Sequence, residues 1–474
     1  GNMTLQNNIT GNDLGALGTE ALKNNTIGNA NVAIGYRSAY YNQVQGGNVS
    51  IGNQSLYSNV SGSYTVAIGT NSLMNNTSGY SNTAIGRKAL GNANAGTVKT
   101  VAIGASAGFN GDSDESVFIG FNAAGDGTKT SDSDGSVGIG KSVLNALTSG
   151  IGNTAVGYQA LLVEDDGDYN TAVGYGVFEK QTGTSGTVAN TGVGYRAGYY
   201  NTTGVKNTYI GYHSGFGVSG NPNSSNSALG YRSLVGITTG TVNTAMGESA
   251  GASATTASGS VFLGADAGGT VTTGNQNIAI GYDAMKGGTT TGDNNIAIGV
   301  SAGDALTSGI ENILIGKDAG SAMTAAVYNL IIGCKAGSTT NGASRLTVLG
   351  YAAGQANMTT DATGTVLVGY EAGNAITSGI GNVAIGYDAL GAEDDGDYNT
   401  AIGYEALNSQ TGVSGQVGNT AVGYRAGKAV TSGIDITFIG FNAGLANTTG
   451  LYNTAVGSQA FTTNIDGDFN TAIG

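Results

Sequence analysis

A chain of 474 residues with 85 glycines, one proline, one histidine and no tryptophan does not have the composition of an ordinary globular enzyme. Only 10% of its residues are charged and the formal net charge is −14, so there is no basic stripe and nucleic acid is excluded as a partner. Cys334 stands alone, which rules out an internal disulfide or a cysteine-based metal centre, and no apolar run reaches the roughly 18 residues of a membrane span.

Taken in chain order, the elements are repeats of one short phrase. The glycine that ends each "AIG"-like triplet recurs 27 times, at Gly18, Gly35, Gly52 and so on to Gly457 and Gly474; of the 26 gaps, 18 are 17 residues and the others run from 16 to 20. Each "NTAIGY" reads as a short strand with Thr, Ile and Tyr on one face and Asn and Ala on the other. The stretches between, such as "LVEDDGDYN" and "GYYNTTGVKN", read as turns rich in Gly, Asn, Asp and Thr. Seventeen residues cannot enclose a core alone, whereas stacked coils can, so the expected fold is all-β: a parallel β-solenoid, or β-roll, running as a single array over residues 1–474.

Position within the repeat separates residues by role. The residue before the marker glycine is Ile, Val, Leu or, once, Met in all 27 copies, and Ile34, Ile85, Val156, Val173, Ile280, Ile385 and Ile402 are expected to form the repeat core. Three residues after the glycine stands Ala, Ser or Val in all 26 copies that continue. Asn stands four before it in 18 copies, and Asn153, Asn170, Asn382 and Asn399 are expected to bond from coil to coil in a ladder. Eight copies carry a bulky residue two before the glycine and twelve carry one four after it, yet no copy carries both. Independent choice would give about four such copies, and avoidance of overpacking implies that the two positions share one volume. With the Ala face buried as well, several chains around a common axis, a homotrimer, are expected.

The phrases "NTAIGYEAL" and "NVAIGYDAL" resemble the repeats of YadA-like heads in trimeric autotransporter adhesins. The form "NTAIGYxAL" resembles still more closely the repeat shafts of tailed-phage fibres. The first resemblance implies a trimeric left-handed β-roll and adhesion, with coils of about 14 residues, so the present spacing departs from it by about three. The marker spacings from Gly140 to Gly211 recur from Gly369 to Gly440, so a block of 13 coils reads as duplicated, as suits a modular shaft in which each coil touches only its neighbours. The opening "GNMTLQNN" and the closing "NTAIG" read as cut ends of a longer chain.

No acid–base pair, nucleophile arrangement or Cys/His spacing emerges, so an enzyme is not expected. His213 reads as a solvated repeat position. The acidic turns, with Asp166, Asp168, Asp395 and Asp397, and "DSDG" from Asp132, are the only calcium candidates; they lack the spacing of a calcium loop, and solvated turns are the preferred reading. Tyr387, Tyr404 and Tyr424 belong to a row that follows the marker glycine and is either a surface for sugars or partly buried between coils. The function expected is a non-enzymatic extracellular fibre shaft without cofactor, a virion tail fibre that brings the particle to host surface glycans or proteins. The alternatives are a bacterial cell-surface adhesin or filament and, more weakly, an ice- or polysaccharide-binding solenoid.

Overall fold

The computed structural model describes residues 1–474 except 94–95, 131–132, 184, 219 and 412–413. The chain forms two compact units, Gly1–Thr239 and Gly240–Gly474. Among the described residues the first unit carries thirteen three-residue strands, from Gly15–Leu17 to Ser227–Leu229. The second carries fourteen, from Thr244–Met246 to Thr471–Ile473. Within each unit successive strands pair parallel and in register, as in Val32↔Val49 and Ile34↔Ile51, or Thr400↔Thr420 and Ile402↔Val422. Each coil is one turn of a β-solenoid, and like residues lie above like residues.

Glycine is required at the marker because the chain turns there in a conformation that side chains oppose. Gly403 has φ +136°, and a Cβ built on it would lie 2.3 Å from the carbonyl oxygen of Gly423 in the next coil. Its own N–H donates to Ile385 O of the preceding coil at 2.7 Å, so the backbones cannot separate to make room. The turn that follows is laddered too: Arg37 N donates to Thr19 O at 3.0 Å and Leu56 N to Ser72 O at 2.9 Å. Two positions of this turn are left-handed without being glycine. Two after the marker Gln54 has φ 52°, and four after it Leu56 has φ 48° and, in the next coil, Leu73 φ 46°. That conformation costs about 1–2 kcal/mol per residue. Complete burial of each leucine side chain returns roughly 1.5–3 kcal/mol, so burial wins.

The interior is one side chain thick. Into it point the Asn four before the marker, the residue two before, those three and four after, and the one seven after. The volume shared by the positions two before and four after is visible directly. A Cβ on Gly268 would come within 2.1 Å of the Phe262 ring of its own coil, and one on Gly215 within 2.4 Å of Tyr209. That volume belongs to a single chain, so filling it requires no second copy.

The residue before the marker corrects the expectation. Ile34 is 38% exposed and Ile402 36%, Ile85 and Ile385 match them, and Val156, Val173 and Ile280 are half-buried. None of the seven is core. Alternation fixes that two faces exist but leaves open which turns inward. The small residue three after the marker and the Leu four after close the interior so tightly that the strand can send in only its middle residue, most often Ala. The β-branched residues on either side of it therefore face out.

Candidate functional site

Three ladders run along the coils. In the first, each Asn four before a marker works in two directions. Asn170 N donates to Asn153 Oδ1 at 2.9 Å, while Asn153 Nδ2 donates to Gly167 O at 2.8 Å. Asn399 N donates to Asn382 Oδ1 and Asn382 Nδ2 to Gly396 O, both at 2.8 Å. All four asparagines are fully buried. The amide supplies acceptor and donor at once, and the Ser136 hydroxyl does the same with longer bonds, accepting Asn153 N at 3.3 Å and donating to Gly150 O at 3.4 Å. Replacing Asn170 by Ala removes the acceptor of Asn190 N–H, 3.1 Å away, and is expected to cost about 2 kcal/mol. Thermal melts of the two proteins check this, an unchanged melting temperature being the contrary result.

The second ladder lies seven residues after the marker and escaped the sequence reading. Asn25, Asn42 and Asn59 each donate through Nδ2 to the Oδ1 of the residue 17 before, at 2.9, 3.1 and 2.7 Å. The signal was available as the 17-residue recurrence of Asn8, Asn25, Asn42, Asn59 and Asn76. In other coils this position is apolar, as in Leu147, Ile237 and Leu306, or again polar, as in Gln181, Asn201, Thr340, Gln410 and Asn447, and in the acidic turns it holds Glu164 and Glu393. Both glutamates are buried, with Gly167 N or Gly396 N donating to Oε1 at 2.7 Å and the Gln181 or Gln410 side-chain amide donating to Oε2. Burial raises both carboxyls above the usual range, against the lowering effect of these bonds.

The third ladder, six before the marker, takes up two of the calcium candidates. Asp168 Oδ1 accepts Ile151 N at 2.9 Å and Asp397 Oδ1 accepts Ile380 N at 2.8 Å, the role that Asp468 plays for Leu451. Asp166 lies instead with Glu164 and Asp165, and Asp395 with Glu393 and Asp394, oxygens within 4.8 Å of one another. The four aspartates thus do not converge, and the glutamate oxygens are already bonded. Calcium takes 6–8 oxygen ligands, of which each of these turns brings three carboxylates together. Asp132 lies outside the described residues.

On the outer surface the tyrosines form continuous stacks. Tyr158, Tyr175, Tyr195, Tyr212 and Tyr231 follow one another at 4.9 to 5.3 Å between centroids. Tyr351, Tyr370, Tyr387, Tyr404, Tyr424 and Phe441 do the same in the second unit, with Tyr404 39% exposed. Inside a stack each ring face is covered by its neighbours, so only edges and hydroxyls meet solvent, and a sugar cannot lie flat on the row. His213 is not a freely solvated residue: its ring lies 4.2 Å from Tyr212 and 4.5 Å from Phe216. Burial, then Arg196 and Arg232, lower its pKa. No family model and no curated protein matches this chain. Among the described residues no helix is long and apolar enough to cross a membrane.

Proposed function

We propose that this chain is a structural shaft, a segment of an extracellular fibre in which several copies pack along their strands. The observation that carries the reading is the outer strand face. In each unit the residue one before every marker, such as Ile34 or Ile402, puts a repeated row of partly exposed aliphatic side chains on the surface, widened three before the marker by Val, Ile or Leu in some coils, as at Val32, and bordered there by Thr in others, as at Thr400. Contiguous apolar surface of this kind marks an interaction face. A second copy of the same row is its simplest complement, because the repeat supplies matching residues at every coil.

The other features suit a shaft. Hydrogen bonds run from each coil to the next, so coils add without altering their neighbours, and a 13-coil duplication extends the array while keeping its local bonds. Three ladders commit many of the buried asparagines, and the aspartates six before the marker, to coil-to-coil contact, which is a structural use of polar groups.

Of the possible fibres, the phrase "NTAIGYxAL" favours the tail fibre of a virion, with contact to host glycans or proteins, over a bacterial surface adhesin. Gold-labelled antibody against the chain is expected to decorate the tails of virions. Decoration of uninfected bacterial cells would overturn the tail-fibre assignment and favour the adhesin.

A further inference from the structure

One phrase occurs twice on a scale that the 17-residue repeat does not explain: "GYRSAYYN" from Gly35 to Asn42 and "GYRAGYYN" from Gly194 to Asn201. In the first, Tyr40 stacks on Tyr57 of the next coil at 5.3 Å and 18°, and Tyr41 stands at 81° to both. In the second, Tyr199 stacks on Phe216 at 5.4 Å and 14°, and Tyr200 stands at 87° and 83° to the pair. The cations repeat as well. Arg37 lies 5.0 Å from the Tyr36 ring and Arg196 5.3 Å from Tyr195, with Lys23 and Lys180 each 5.6 Å from the stacked tyrosine.

A carboxylate completes each cluster from a different place in the repeat. Glu20 pairs with Lys23 at 2.8 Å and Arg37 at 2.6 Å. Glu179, only 7% exposed, pairs with Lys180 at 2.9 Å and accepts the Tyr199 hydroxyl at 3.0 Å. The same chemistry is thus reached from different positions, which copying of one coil does not produce.

The duplicated block provides an internal control for a purely structural role. Where the second cluster has Tyr199, Tyr200 and Phe216, the copy 229 residues later has Lys428, Ala429 and Leu445. Yet Arg196 N→Tyr175 O and Arg425 N→Tyr404 O are both 2.8 Å, and Gly198 N→Ser214 O and Gly427 N→Ala443 O both 2.9 Å. The coil closes equally well without the aromatics. Moreover, Arg196 Nε and His213 Nε2 are buried with no hydrogen-bond partner.

We infer that the two clusters are two copies of one binding site for an acid-bearing saccharide. Unlike the rings of the long stacks, Tyr41 and Tyr200 have no face-to-face ring neighbour among the described residues, and Tyr41 is 40% exposed. Such a ring accepts the C–H face of a pyranose. The guanidinium over the adjoining ring, Arg37 at 5.6 Å from Tyr40 and Arg196 at 4.9 Å from Tyr199, is a planar fork of donors that matches a carboxylate on the sugar. Each cluster carries two cations against one carboxylate on a chain of net charge −14, a local reversal of sign that favours an anionic over a neutral or cationic ligand. The inference does not rest on the shaft reading, since a lone solenoid would carry the same sites.

The test is binding of the full chain to an array of acidic and neutral oligosaccharides, followed by titration of the best acidic member. Expected are binding confined to acid-bearing members, two sites per chain, and one site per chain in either Tyr41→Ala or Tyr200→Ala, at unchanged melting temperature. Arg196→Gln is expected to weaken the second site at least tenfold. No binding to any acidic member, equal binding to neutral members, or a stoichiometry unmoved by the tyrosine variants would overturn it.

Discussion

Gly403→Ala is expected to destabilise the second unit by about 4 kcal/mol, the sum of a strained backbone at 1–3 kcal/mol and an overpacked contact of similar size. The contact is the sharper part. With φ +136° the alanine would be strained anywhere, but here its methyl would also stand 2.3 Å from Gly423 O, in a backbone ladder that cannot yield without loss of the Gly403 N→Ile385 O bond. Gly364 separates the two contributions. Its φ is +78° and a Cβ there meets nothing within 4 Å. Gly364→Ala should therefore cost about 1 kcal/mol, the left-handed penalty alone. Comparison of the two thermal melts checks the prediction, and equal losses would show that the coil-to-coil contact is not what demands glycine.

Lys129→Met is expected to act in the opposite direction, stabilising the first unit by about 2 kcal/mol at pH 7 and below. The Lys129 side chain is 1% exposed, and its ammonium donates to Ala124 O at 2.5 Å and Gly127 O at 3.1 Å. Burial lowers its pKa to about 7, against the attraction of Asp126. The folded value lies below the unfolded one of 10.5. The stability linked to this group is therefore whole above pH 10.5, is lost as pH falls towards 7, and changes no further below that. At 1.36 kcal/mol per unit, the buried charge costs about 4–5 kcal/mol at neutral pH. Loss of the two carbonyl contacts in the methionine variant returns about 2 of this. Melting of both proteins at pH 6.5 and pH 10 should show the variant ahead at the lower pH and the advantage gone at the higher. A difference independent of pH would mean that the amine is neutral throughout.

These two residues mark what was legible in the sequence. Gly403 was visible as a marker because the same backbone event recurs in each coil, and the mutual exclusion of Phe262 and a bulky residue at Gly268 discloses a shared interior volume from the sequence alone. Lys129 was not visible. It lies in one of the long turns, amid Gly, Asp, Ser and Thr, where lysine ordinarily reaches solvent, whereas its ammonium turns back onto Ala124 O and Gly127 O. Glu164 and Glu393 were misread for a related reason. "EDDGD" has the composition of a solvated turn, yet its first residue stands at the inward position seven after the marker, a register that the Asn25 to Asn76 ladder would have disclosed. Ile402 and its equivalents show the limit of alternation: the pattern separates the faces, and the size of Ala406 and Leu407 decides which one is inside. Of the candidate site, the tyrosine row could be read from the sequence. Its stacking, which closes the ring faces to ligand, and the perpendicular Tyr41 and Tyr200 could not, because ring orientation depends on the neighbouring coil.

The outer aliphatic row is the feature from which the shaft reading follows, and the mass of the chain in solution tests it most directly. Light scattering after size exclusion is expected to give three times the chain mass of 46.8 kDa, about 140 kDa, as copies cover the faces that carry Ile385 and Ile402. A mass of one chain would leave those faces in solvent and contradict the account, making this a solitary solenoid.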